Sequence, residues 1–138
     1  MKKPILIVED TEDDVFFLKR ALRDSKIDHP LKVVTDGRQA LEYLQGEGAH
    51  ADRTQSPLPF LILLDLKLPY VMGLDVLKWI RERPEFANTL VVVLTSSQHE
   101  RDMEETYRLG GDAYLIKPAT PAKLLELMKN LRDKWIQV

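Results

Sequence analysis

Five short apolar runs, about 25 to 30 residues apart, constrain the fold of this chain more than any other feature of its sequence. Three of them are almost unbroken in Ile, Leu and Val, which is typical of strands that are buried on both faces. Strands of that kind pair in parallel and are connected by helices that cover both faces of the sheet. The sequence therefore predicts a doubly wound α/β fold, with strands at residues 5–8, 31–34, 60–64, 90–94 and 113–116.

Amphipathic helical patterns fill the intervals between the runs, with two exceptions. The first helix is predicted to begin after Thr11, which forms a capping-box pattern with Asp14 three residues later. Residues 46–59 are rich in Gly and Pro, so we expect a surface loop that is long for a fold of this class. Residues 98–109 have the length of a helix but few apolar side chains, so we expect a helix that is loosely held.

The composition excludes several classes of protein. The chain has 20 Lys and Arg against 22 Asp and Glu, and this balance gives no electrostatic attraction to nucleic acid or to an anionic membrane. The absence of Cys excludes disulfides, zinc thiolate sites and thiol nucleophiles. No apolar stretch is long enough to span a bilayer, and no signal-peptide pattern is present. We therefore expect a cytoplasmic domain of 138 residues that binds neither nucleic acid nor membrane.

Polar side chains follow four of the five apolar runs. Glu9 and Asp10 follow the first run, and Asp65 follows the third. Thr95 follows the fourth run, and Lys117 follows the fifth. Each residue alone also suits a turn, a helix cap or a solvated strand end. Because the carboxyl ends of parallel strands meet at one edge of the sheet, we expect all of these side chains to converge there.

The types of these residues suit phosphoryl transfer. Clustered carboxylates repel one another unless a cation joins them, and a site with only oxygen ligands favours Mg²⁺. Asp65 is the candidate nucleophile, because a carboxylate can form an aspartyl phosphate. Lys117 can neutralise phosphoryl oxygens, and Thr95 can donate a hydrogen bond to one of them.

These residues stand in motifs that resemble the receiver domain of bacterial two-component response regulators. The resemblance covers nearly the whole chain and implies a flavodoxin-like, five-stranded parallel sheet of order 2-1-3-4-5 with five helices. It also implies that a histidine kinase phosphorylates Asp65. The motifs are Val8-Glu9-Asp10, Leu63 to Pro69 with Gly73, Thr95-Ser96, and Tyr114-Leu115-Ile116-Lys117-Pro118.

The resemblance also implies which residues hold Mg²⁺. They are the carboxylates of Glu9, Asp10 and Asp65, together with the backbone carbonyl of Lys67. The acidic pair is Glu-Asp where Asp-Asp is common, a variant that we expect to leave metal binding intact. Lys67 stands where Asn or a similar residue is frequent, and its charge is expected to slow or redirect the attack of water on the phosphate.

Three further roles are implied by the same resemblance. Thr95 and Tyr114 match the residues that reorient on activation, and Lys117 matches the partner of the phosphate. The bond between Lys117 and Pro118 resembles a cis peptide of the family.

Within the family, the segment before Phe60 and residues 91–97 are most similar to small regulators paired with bacterial phytochrome kinases. This likeness implies a sensor histidine kinase of the phytochrome type as partner, and a downstream relay or effector protein. We expect residues 1–138 to form a single receiver domain without an output domain, which signals through its surface.

The end of the chain favours a homodimer. Trp135, Ile136 and Val138 add apolar surface beyond what one helix face can bury, so we expect pairing through the last strand and its flanking helices. In the alternative, Trp135 folds back onto the core of its own chain and the last residues fray.

Two other classes share parts of the pattern. Phosphatases of the haloacid dehalogenase type also carry a nucleophilic Asp after a buried strand, but their motif is Asp-x-Asp and position 67 here is Lys. The other alternative is a receiver-like module that binds partners without phosphorylation. We expect a protein that catalyses only its own phosphoryl transfer and slow dephosphorylation, and that is not otherwise an enzyme.

Overall fold

All five predicted strands form one parallel sheet. The computed structural model describes residues 2–117 and 120–136, without the side chains of residues 124 and 132–136. The sheet order is β2-β1-β3-β4-β5, and all neighbouring strands are parallel. The strands are β1 (Ile5–Val8), β2 (Leu31–Val34), β3 (Leu61–Leu64), β4 (Leu90–Thr95) and β5 (Ala113–Ile116). The predicted fold class and strand order are therefore confirmed.

Five helices connect and cover the strands. Helices α2 and α3 pack against one face of the sheet, and α1 and α5 pack against the other. The helices are α1 (Glu12–Asp24), α2 (Gly37–Gln45), α3 (Gly73–Arg81), α4 (Glu100–Arg108) and α5 (Pro121–Ile136). Among the described residues, no helix is both long and apolar enough to cross a bilayer.

The core consists of two apolar layers, one on each face of the sheet. Because side chains alternate along a strand, Leu6 and Ile62 belong to the layer under α2 and α3, whereas Ile7 and Leu63 belong to the layer under α1 and α5. All four of these side chains are inaccessible to solvent or nearly so. The central strands β1 and β3 are thus packed on both faces, and this packing determines where the chain that follows each of them begins.

The two segments that departed from the helical pattern behave differently. Residues 46–59 contain only one short 3-10 turn, Gly48–His50, yet they are anchored to the fold. The guanidinium of Arg53 donates hydrogen bonds to the carbonyl oxygens of Tyr43 and Leu44 at the end of α2, each at 2.7 Å. Helix α4 is as sparsely packed as predicted: of its described residues, Thr106 alone is buried.

Candidate functional site

Two of the predicted acidic residues are adjacent because their strands pair in register. Val8 of β1 lies beside Leu64 of β3, and the residues that follow them are Glu9 and Asp65. The backbone N–H of Asp65 donates to the carbonyl of Val8 at 3.1 Å, which continues the pairing by one residue. Asp10 extends from the end of β1 into solvent. The sheet therefore places the three carboxylates at its carboxyl edge.

The three carboxylates fit a hard divalent cation. One ligand oxygen of each of Glu9, Asp10 and Asp65 lies within 4.8 Å of the others. Glu9 and Asp65 are buried, so their mutual repulsion is poorly screened by water. Burial raises the pKa of the Glu9 carboxyl; Lys117 opposes that rise, and the charge of Asp65 adds to it. A donor set made only of oxygens, two of them buried, suits Mg²⁺ or Mn²⁺.

Lys117 reaches these acids from the end of β5. Its ammonium donates hydrogen bonds to Glu9, to Asp65 Oδ2 at 3.1 Å and to Asp14 Oδ2 at 3.0 Å. Burial alone would lower the pKa of Lys117, but the bonds to Glu9 and Asp14 and the charge of Asp65 raise it above its ordinary value. Lys117 therefore stays protonated and offsets part of the negative charge of the site.

Asp14 is the member of the site that sequence reasoning missed. The capping-box pattern assigned it to the start of α1, but the Thr11 side chain that precedes the helix makes no capping hydrogen bond. The backbone N–H of Thr11 instead donates to Glu9 Oε1 at 3.1 Å. The Asp14 carboxylate faces Lys117 rather than the helix terminus. The available signal was a third acid in the first turn of α1, which a solvated helix terminus explains equally well.

Thr95 and Tyr114 are linked through Ser97, which the sequence did not single out as a link. Thr95 is fully buried, and its hydroxyl oxygen accepts a hydrogen bond from the backbone N–H of Ser97 at 3.3 Å. The Tyr114 hydroxyl donates to the carbonyl of Ser97 at 2.9 Å, and the Ser97 hydroxyl donates to Asp102. Because Asp102 lies in α4, these bonds connect the carboxyl edge of the sheet to the first turns of that helix.

The segment after Asp65 is shaped by a glycine. A Cβ at Gly73 would stand 2.3 Å from the carbonyl oxygen of Asp65, so only glycine allows this close approach. The backbone N–H of Lys67 donates to Asp65 Oδ1 at 3.1 Å, and its side chain is exposed. The predicted metal contact of the Lys67 carbonyl stays a prediction. The predicted cis bond before Pro118 lies outside the described residues.

The fold and the site define the class of protein. The response regulator receiver domain matches residues 5–129, so the chain belongs to the receiver domain family of two-component signalling.

Individual relatives narrow the likeness further. Response regulator Rcp1 of Synechocystis sp. is 37% identical over 98% of this chain and 90% of its own length, and its Mn²⁺-bound crystal structure superposes with a TM-score of 0.83. A phosphorylated cyanobacterial phytochrome response regulator, RcpA, is 35% identical over 99% of this chain and 95% of its own, with a TM-score of 0.84. The bacteriophytochrome response regulator RtBRR is 44% identical over 95% of this chain and 78% of its own, with a TM-score of 0.82. The predicted similarity to phytochrome response regulators is thus confirmed.

Proposed function

We propose that this protein accepts a phosphoryl group from a histidine kinase onto Asp65, with Mg²⁺ held by the carboxylates of Glu9, Asp10 and Asp65. The observation that carries the proposal is the convergence of a nucleophile, two further acids and one ammonium at the carboxyl edge of the sheet. The Mn²⁺-bound form of Rcp1 and the phosphorylated form of RcpA support it by similarity.

The chemical step follows from the positions of these groups. A carboxylate oxygen of Asp65 attacks the phosphorus of a phosphohistidine, the new P–O bond forms, and the P–N bond breaks with its electron pair passing to the imidazole nitrogen. Mg²⁺ supplies charge neutralisation for the phosphoryl oxygens and orients them when it is bound. The Lys117 ammonium is close enough to the Asp65 carboxylate to bond a phosphoryl oxygen on that residue. Water later attacks the phosphorus, which restores the Asp65 carboxylate and releases inorganic phosphate.

Phosphorylation is expected to act on α4. A phosphoryl group on Asp65 draws the Thr95 hydroxyl towards it, and this movement breaks or bends the bond between Thr95 and Ser97. Ser97 accepts a hydrogen bond from the Tyr114 hydroxyl and donates one to Asp102 of α4. A movement of Ser97 is therefore expected to change the positions of Tyr114 and Asp102 as well. Phosphorylation would then act as a signal by shifting the populations of the conformations of α4.

The partners follow from the family and its relatives. We propose a cytoplasmic sensor histidine kinase of the phytochrome type as the donor, because relatives of this chain are described as phytochrome response regulators. The output is contact with a downstream relay or effector protein, and pairing of two copies through β5 and its flanking helices. The protein turns over no other substrate.

The proposal is tested by labelling with a small phosphodonor such as acetyl phosphate in the presence and absence of Mg²⁺. The wild-type chain should take up one base-labile phosphoryl group, only with Mg²⁺, and Asp65→Asn should take up none. Asp28→Asn is the matched control, because Asp28 is an exposed carboxylate before β2, at the opposite edge of the sheet.

Three outcomes would contradict the proposal. Normal labelling of D65N would show that another residue accepts the phosphoryl group. No labelling of the wild type by the phosphodonor or by a cognate kinase would favour a module that binds partners without phosphorylation. Continuous release of phosphate from other monoesters would indicate a phosphatase.

A further inference from the structure

Asp14 contacts the ammonium of Lys117 although it does not belong to the cluster of acids that fits a cation. Its carboxylate lies 3.0 Å from Lys117 Nζ and is about one-third exposed, whereas Glu9 and Asp65 are buried. The cluster whose ligand oxygens approach within 4.8 Å consists of Glu9, Asp10 and Asp65. Asp14 is therefore a partner of Lys117 that a cation at the cluster does not require.

Lys117 and a divalent cation compete for the same two carboxylates. The ammonium bonds Glu9 and Asp65 Oδ2, and both residues belong to the acid cluster. A dication and an ammonium within a few ångströms of each other repel strongly where water is scarce. A cation held there therefore favours withdrawal of the Lys117 ammonium from these carboxylates.

A cavity beside the site gives the Lys117 ammonium space to withdraw. A cavity of about 460 Å³ lies between α1 and α5, and both Lys117 and Asp14 line it. Its other walls are mostly apolar and include Phe17, Leu18 and Leu94. The charged side chains of Arg20 and Asp24 also line it, and they pair with each other at 3.9 Å. None of the three acids of the cluster is among its described lining residues. A lysine side chain has several rotatable bonds, so its ammonium can turn towards this space without a change of the backbone.

We propose that Asp14 is a positioning residue that retains the Lys117 ammonium when a divalent cation enters the acid cluster. The inference rests on the proposed function, because it assumes that the cluster binds Mg²⁺. With Asp14 present, the displaced ammonium keeps a charged partner, and it stays near Asp65 for a later bond to the phosphoryl group. Without Asp14, the carboxylates that remain bonded to the ammonium among the described residues are those of Glu9 and Asp65, so the ammonium competes with the cation for both.

The test is a double-mutant cycle on Mg²⁺ affinity, measured by titration calorimetry of the unphosphorylated protein. Asp14→Asn should raise the Mg²⁺ dissociation constant about three-fold or more, which corresponds to the coupling of a partly buried charge pair. Lys117→Gln should lower the dissociation constant, because a competing cation is removed. In the Lys117→Gln background, Asp14→Asn should change the constant by less than about two-fold.

Two further variants isolate the role of the pair. Asp13→Asn is the matched control, since Asp13 is an exposed acid in the same first turn of α1 and has no described bond to Lys117. Asp14→Glu should restore most of the affinity, because it returns a carboxylate on a longer arm. Asp14→Ser, measured in parallel, gives the same comparison if Asn is not tolerated.

The competing explanation is that Asp14 attracts the cation by its charge alone. In that case Asp14→Asn weakens binding equally or more in the Lys117→Gln background, and that result overturns the inference. No effect of Asp14→Asn in the wild-type background overturns it as well. If the wild-type chain binds no Mg²⁺, the proposed function fails together with the inference, and this outcome differs from the other two.

Discussion

Tyr43 connects α2 to the long segment that precedes β3. The side chain is almost fully buried, and its hydroxyl donates to the carbonyl of Pro57 at 2.7 Å. Its ring also contacts the imidazole of His50, with the ring centroids 4.9 Å apart. The side chain of Tyr43 thus anchors the segment 46–59 to α2, the helix that precedes this segment.

The burial of Tyr43 predicts a loss of stability in alkali. Burial raises the pKa of Tyr43 above its ordinary value, although the charge of Arg53 lowers it in part. The folded chain therefore holds this proton more tightly than the unfolded chain. The stability that results is fully present below about pH 10 and is lost as the pH rises through the raised pKa.

Tyr43→Phe is the variant that checks this dependence. It should cost about 1 kcal/mol at neutral pH, because the Pro57 carbonyl loses its donor, and it should flatten the fall of stability above about pH 10. Urea unfolding at several pH values measures both effects. Tyr107→Phe, at an exposed tyrosine of α4, is the control and should change stability at neutral pH by less than about 0.5 kcal/mol. An equally steep fall in Tyr43→Phe would assign the alkaline transition to other groups.

At the scale of elements, α4 is fixed at its two ends and packed weakly between them. Beyond its carboxyl end, the Arg81 guanidinium of α3 donates to the carbonyl of Gly110 at 2.9 Å and to Asp112 Oδ2 at 3.0 Å. At its amino end, Asp102 accepts the bond from Ser97. The carboxyl end is therefore tied to α3 and the start of β5, whereas the amino end is tied to Ser97, which also bonds Thr95 and Tyr114.

Arg81→Lys should destabilise the fold by about 2 kcal/mol. The Arg81 guanidinium also donates hydrogen bonds to the carbonyls of Phe86 and Thr89, each at 2.9 Å. The planar guanidinium of arginine can make several such bonds at once. A lysine ammonium cannot span these acceptors. Urea unfolding of the unphosphorylated protein measures the loss. Arg23→Lys, at a largely exposed side chain of α1, should change stability by less than about 0.5 kcal/mol. Equal effects of the two substitutions would rule out a special role for Arg81.

Phosphorylation should change the amide exchange of α4 and its neighbours. Of the described residues of α4, Thr106 alone is buried. A small change in free energy is therefore enough to shift the helix. We expect exchange across residues 98–116 to differ between the phosphorylated and unphosphorylated protein. Asp65→Asn treated with the same phosphodonor is the control and should show no change. Identical exchange at full phosphorylation would exclude this surface as the output.

At the scale of the whole molecule, the surface around α4 and β5 favours a homodimer. Strand β5 lies at the edge of the sheet, and its residues are only partly buried. Tyr107 of α4 is about half exposed, and Met103 is also accessible. The apolar residues at 135, 136 and 138 lie outside the described side chains, so pairing is predicted from the exposed apolar side chains of α4.

Sedimentation at micromolar concentration checks the dimer. The full chain should sediment as a dimer, more tightly associated or rearranged after phosphorylation, and truncation before Trp135 should weaken association. Tyr107→Lys should weaken it as well, because a charge replaces apolar surface. A monomer in both phosphorylation states, unchanged by truncation, would contradict the prediction.

The sequence by itself determined the fold and the location of the site. Short unbroken apolar runs that alternate with helical patterns favour strands covered on both faces, and the carboxyl ends of parallel strands share one edge. Position along the chain therefore predicted that Glu9, Asp65 and Lys117 would meet, although 108 residues separate Glu9 from Lys117. Nothing beyond periodicity and the residue after each run was needed for that prediction.

The tertiary structure decided the pairings of polar side chains. The sequence assigned Asp14 to a helix cap and residues 46–59 to a plain loop, but Asp14 pairs with Lys117 and Arg53 anchors the loop to α2. Ser97 likewise acquires its role only because Tyr114 and Asp102 reach it from other elements. The physical reason is that the burial of side chains repeats along a strand or helix with a fixed period, which can be read from the sequence. A hydrogen bond instead depends on distances of a few ångströms between groups that are far apart in sequence and are brought together by packing.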